Sequence, residues 1–152
     1  MQSIPARWAL LTFMCLTGAM DLLPATTASA NEKDLKKYGP IPWQGSLKTA
    51  MKIAAREKKP IFVDFWAEWC GPCKVMLAHT YTDKAVVARS KGFVPVLINA
   101  EEQPEVLKKL GLEGVPVVLF LDAKGKILLQ STGYESPKTF LVLMKQAAKK
   151  FK

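Results

Sequence analysis

Cysteine and histidine are scarce in this chain, which has three of the first and one of the second in 152 residues. Cys15 falls within residues 1–30, a stretch with the character of a removable leader, so the remaining chain keeps only Cys70 and Cys73. No third thiol is then left for a structural bridge. Disulfide-built secreted scaffolds carry several pairs at wider spacing, whereas one short-loop pair stabilises little and is better placed for exchange. A zinc site needs about four ligands, and His79 is the sole imidazole. Haem attachment needs a histidine directly after the second cysteine, where Lys74 stands. No metal is expected, and no cofactor other than a redox-active Cys70/Cys73 disulfide.

The N-terminus also lacks a run long enough to span a membrane. Its apolar stretch, residues 8–20, falls well short of the roughly 20 residues a spanning helix requires, and Asp21 closes it. With Arg7 before it and Ala28-Ser29-Ala30 after it, the stretch reads as a signal peptide cleaved after Ala30 rather than as an uncleaved anchor. The expected organisation is a signal peptide at 1–30, an N-terminal lead-in at 31–45 that is polar and flexible over 31–39, and one domain at 46–152, exported to the periplasm. That length suits a single core. Repeats and low-complexity tracts are absent. Acidic residues are few beside basic ones, 13 against 22, for a formal charge of +9. The excess is nearly all lysine, in scattered pairs such as Lys58-Lys59 and Lys108-Lys109. A nucleic-acid face would favour clustered arginine with exposed aromatics, so the lysines read as solvated surface and no nucleic-acid partner is expected.

The feature the chain does have is the run Val63-Asp64-Phe65-Trp66-Ala67-Glu68-Trp69-Cys70-Gly71-Pro72-Cys73-Lys74, an apolar strand ending in a two-cysteine turn at a helix start. Two cysteines separated by two residues at the first turn can close a small ring, and the free amides and dipole of that turn stabilise a thiolate on the outer sulfur. Cys70 is therefore the expected nucleophile and Cys73, one turn in, the shielded resolving thiol. Pro72 suits an early helical position, and Gly71 lets the chain turn sharply. Attack by Cys70 on a partner disulfide gives a mixed disulfide, which Cys73 resolves, moving two electrons. A plain structural staple is the alternative.

This run resembles the active-site segment of bacterial thioredoxins in full. The resemblance covers roughly residues 59–150 and implies the thioredoxin fold: an α/β single domain with a central mixed sheet flanked by helices. It implies that Asp64 is the buried carboxylate that assists proton transfer at Cys73. It also implies that Val115 and Pro116 form the cis-proline element of the client groove, with Trp69, Gly71 and Pro72 bordering the same groove. Two departures stand out. Leu97 occupies the place where thioredoxins usually carry a lysine near that aspartate, so Asp64 should favour its neutral form. The segment after Cys73 lacks the helix-kinking proline and breaks at residues 80–83. In this, and in the upstream Ile41-Pro42-Trp43, the chain is similar to secreted thioredoxin-like domains, including the C-terminal domain of the membrane thiol reductant transporter.

The rest of the chain reads as alternating elements. Ser46 caps a helix at 47–58, Pro60 opens a strand at 61–65, and a strand at 93–98 precedes a short helix at 104–110 stopped by Gly111. Strands at 115–121 and 126–130 flank the turn Asp122-Ala123-Lys124-Gly125, and Ser136 caps a last helix at 137–150. Gly133 is expected to permit a close backbone approach, while His79 and Tyr81 read as partly exposed packing at a helix end. Trp66 reads equally well as core or groove. The expected activity is that of a periplasmic protein-disulfide reductase acting on protein thiol and disulfide clients, fed by a membrane electron donor and working as a monomer. A disulfide oxidase or isomerase, and a redox-silent peptide-binding adaptor, are the alternatives.

Overall fold

Six consecutive buried residues, Ile61–Trp66, form the strand around which everything else is arranged. The computed structural model describes residues 35–151, so the expected signal peptide, its expected cleavage after Ala30 and the first residues of the lead-in lie outside the described residues. This strand, β1, pairs in parallel with β2 (Val94–Asn99) and antiparallel with β3 (Val117–Leu121), which pairs antiparallel with β4 (Ile127–Thr132). The sheet order is β2-β1-β3-β4. A strand covered on both faces should be apolar throughout, and β1 is, apart from Asp64.

Helices cover the two faces differently. On one side lie α1 (Leu47–Glu57) and α4 (Pro104–Lys109), whose Ala50, Ala54 and Leu107 pack on Ile61, Val63 and Phe65. On the other lie α2 (Gly71–Val75) with its continuation Met76–Thr80, then α3 (Lys84–Ser90) and α5 (Pro137–Lys150), whose Met76, Val86, Phe140 and Met144 pack on Phe62 and Trp66. The starts of these helices are chemically marked. Ser46 accepts from the Thr49 amide and Ser136 from the Thr139 amide, while Asp83 takes the amides of both Ala85 and Val86.

The lead-in at 31–45 departs from expectation where it was read as flexible, at 31–39. Leu35–Tyr38 form a 3₁₀ turn, and Leu35, Ile41 and Trp43 are buried. The Trp43 indole donates to the Tyr38 carbonyl, and its ring meets Phe62 and Tyr81 edge-on. Gln44 then bridges to Val96 in parallel, extending the sheet beyond β2. Three large apolar side chains hold this segment down, despite the lysines between them.

Candidate functional site

The C-terminal end of β1 delivers the chain through Ala67-Glu68-Trp69 to Cys70, which stands immediately before α2. Cys70 and Cys73 are joined as a disulfide, with their Cα atoms 5.3 Å apart. The Cys73 amide donates to the Cys70 sulfur at 3.2 Å, so the outer sulfur is the capping group of the helix and would keep this donor as a thiolate. Cys73 and Cys70 are both buried in the disulfide form. Gly71 is an ordinary first residue of the helix rather than a sharp turn, and a Cβ there would meet nothing. Pro72 follows it, exposed beside the disulfide, where its missing amide hydrogen has no helical acceptor to lose.

Beneath this turn sits Asp64. Alternation along β1 puts Phe62, Asp64 and Trp66 on the face that also carries Cys70, Cys73, Met76 and Tyr81. Asp64 stands opposite Leu97 on β2 and Val118 on β3, so its neighbours within this face of the sheet are apolar in every direction. Burial pushes its carboxyl up to about 7. The interaction that opposes the rise is with the Tyr81 hydroxyl, although neither group closes a hydrogen bond of full geometry.

Val115 and Pro116, expected to border a client groove, are joined by a cis peptide bond immediately before β3. Pro116 is buried and Val115 half-buried. Trp69 is 70% exposed, whereas Trp66 is 3% exposed and packs edge-on with Tyr38, which resolves the two tryptophans into surface and core. Gly133 donates to the Pro116 carbonyl at a φ of +96° with open space around it, so the glycine is required by backbone conformation and not by close approach. Tyr134, next to it, is exposed. Thr80 ties this loop to the active-site helix by donating to the Glu135 carbonyl at 2.6 Å.

Residues 47–148, well over half of the chain, match the thioredoxin-like domain family. The chain belongs to that family. Among its relatives, the thiol:disulfide interchange protein DsbD of Actinobacillus pleuropneumoniae is 33% identical over 101 residues, which make up 62% of this chain and 17% of that longer protein. The thioredoxin of Alicyclobacillus acidocaldarius is 33% identical over 88 residues, 54% of this chain and 75% of the thioredoxin. The oxidised C-terminal domain of Neisseria meningitidis DsbD superposes with a TM-score of 0.59 at 28% identity, covering 69% of this chain and 98% of that domain. A Thermus thermophilus thioredoxin reaches 0.66 at 21% identity, covering 73% and 89%, a likeness of fold. The thioredoxin-like domain therefore carries a closed Cys70–Cys73 pair.

Tyr81 is the residue whose place the sequence misjudged. Expected at a frayed helix end, it is fully buried within the thioredoxin-like core, next to Asp64. The cause is the π turn Met76–Thr80, in which the Tyr81 amide reaches back five residues to the Met76 carbonyl. His79, from the same turn, points into solvent. No helix among the described residues is long and apolar enough to cross a membrane.

Proposed function

We propose that this protein is a periplasmic thiol:disulfide oxidoreductase that reduces protein disulfides. The observation that carries the reading is the Cys70–Cys73 disulfide at a helix start with its outer sulfur held by the Cys73 amide, in a chain that also has an exposed Trp69 and a cis Val115–Pro116 bond. In the reduced protein, the Cys70 thiolate attacks a client disulfide and one client sulfur leaves with the electron pair. Asp64 takes the Cys73 proton as that sulfur attacks Cys70, closing the ring and releasing the second client sulfur. Two electrons pass to the client. Trp69, Gly71, Pro72, Val115 and Pro116 bind the client's backbone and apolar side chains beside the reacting sulfurs.

The Gly71-Pro72 dipeptide between the cysteines supports the reducing direction, since thioredoxin, with that dipeptide, sits at about −270 mV and the periplasmic oxidant near −120 mV. The leader-like residues 1–30 and the likeness to DsbD support export, and an exported reductase needs an electron donor reached through the membrane. The test is the equilibrium potential of the Cys70/Cys73 pair against thiol/disulfide buffers. A value near −270 mV is expected, about that of thioredoxin, while one above about −180 mV would make the protein an oxidant or isomerase.

A further inference from the structure

Asp64 has a chemical problem that the sheet does not solve. Of its neighbours along and across the strands, Phe62, Leu97 and Val118 carry no side-chain donor, and the Trp66 indole makes no hydrogen bond to either carboxyl oxygen. A carboxylate formed there without a donor costs several kcal/mol, so the residue could neither hold a charge nor exchange a proton readily. Its two oxygens and the Tyr81 hydroxyl are all buried without a partner of hydrogen-bonding geometry. One group is an acceptor lacking a donor and the other a donor lacking an acceptor.

Tyr81 is held in place with unusual thoroughness. Trp43 and Phe140 meet its ring edge-on at 5.0 and 5.3 Å, and Phe62 stacks on it at 6.5 Å. The π turn fixes its backbone. Three aromatic contacts leave the phenol little rotational freedom, so its hydroxyl is preorganised toward whatever forms beside it. The other acid that acts on it is Glu135, whose carboxylate accepts from Ser131. Burial and these two acids together hold the phenol well above its usual range, so it stays protonated and serves only as a donor.

We propose that Tyr81 is the positioning residue for Asp64: its hydroxyl donates to the carboxylate as that group ionises, and thereby sets the pH at which Asp64 can take the Cys73 proton. The hydrogen bond is weak while Asp64 is neutral and becomes charge-assisted when it ionises, which is when it is needed. Tyr81 supplies from the helical layer the stabilisation that the strand position of Leu97 does not provide. The inference rests on the reading of Asp64 as proton acceptor for Cys73.

The test is Tyr81→Phe in the full chain, which keeps the ring and removes the hydroxyl, read by carbon-13 NMR titration of the Asp64 carboxyl in the reduced protein. The midpoint should move upward by about one pH unit, the size of effect a single lost donor produces. The acid limb of the exchange rate against pH should move with it, and an Asp64→Asn background should abolish the kinetic effect. An unmoved midpoint in a folded Tyr81→Phe protein overturns the proposal, as does an equal slowing of exchange in the Asp64→Asn background, which would mark Tyr81 as packing. Should the phenylalanine variant fail to fold, site-specific 3-fluorotyrosine at position 81 keeps the ring, donates more strongly and should shift the midpoint downward; no shift overturns the proposal. The carboxyl titration reads the Tyr81–Asp64 pair even in a protein that exchanges no disulfides, so failure of the proposed activity and failure of this inference are separate results.

Discussion

The two faces of β1 differ in a single respect. Ile61, Val63 and Phe65 meet only apolar partners from α1, α4 and the neighbouring strands, while Phe62, Asp64 and Trp66 face the layer that carries the disulfide. The first face is a core and nothing else. The second is equally buried but includes a carboxyl whose oxygens lack hydrogen-bond partners, the kind of group that a face evolved for stability alone would have replaced. The strand thus separates two environments by its own alternation, with an apolar core on one side and, on the other, a buried carboxyl that holds its proton to about pH 7.

The separation breaks most visibly on the purely structural face. Phe65 is fully buried, registered with Ile98 on β2 and Val117 on β3. Phe65→Ala should therefore lower stability by about 3–5 kcal/mol through lost burial and the cavity left behind. Urea denaturation at pH 4.5 and 7.5 should give the same loss at both, and exchange activity per folded molecule should be unchanged. A loss that depended on pH would mean the two faces are not separate.

The site face should show the opposite pattern. The folded protein keeps a proton on Asp64 up to about pH 7, whereas the unfolded chain releases it near 3.8. Between those values the folded state binds more protons, so stability falls as pH rises, by roughly 4 kcal/mol across the window, and levels off above it. Asp64→Asn removes that slope. Wild type and variant, compared by denaturation at pH 4 and pH 8, should draw apart by about that amount, with the variant gaining at alkaline pH. Parallel stability curves would show that Asp64 ionises in the fold as easily as in water.

Which of these features the sequence discloses depends on whether the signal is local. The dithiol turn, the caps at Ser46 and Ser136 and the alternation of strands and helices are written within a few adjacent residues, and the structure has them at those positions. The neutral bias of Asp64 was legible because Leu97 stands where a cation would have been, and the register pairs the two directly. The lead-in was not legible. Its lysines dominate the local composition, while Leu35, Ile41 and Trp43 follow no single period and declare themselves only within the folded core, where Trp43 meets Phe62 and Tyr81. Tyr81 was hidden for a different reason. A π turn inserts one residue into the helical count and swings every later side chain by about 100°, so a position read as partly exposed is carried inward.

The smallest expected effect completes the contrast. Ser46 caps α1, on the structural side, by accepting the Thr49 amide at 3.3 Å, and the helix has no acidic residue in its first turn to take over that role. Ser46→Ala should lower stability by about 1 kcal/mol, the usual worth of such a cap. Because α1 packs on the Ile61, Val63 and Phe65 face, the loss should leave the potential of the Cys70/Cys73 pair and the Asp64 titration where they were. Equilibrium denaturation and a redox titration on the same sample would check both halves. A shifted potential with so small a change in stability would mean that α1 communicates through β1 to the disulfide, and that burial on both faces of the strand does not insulate one from the other.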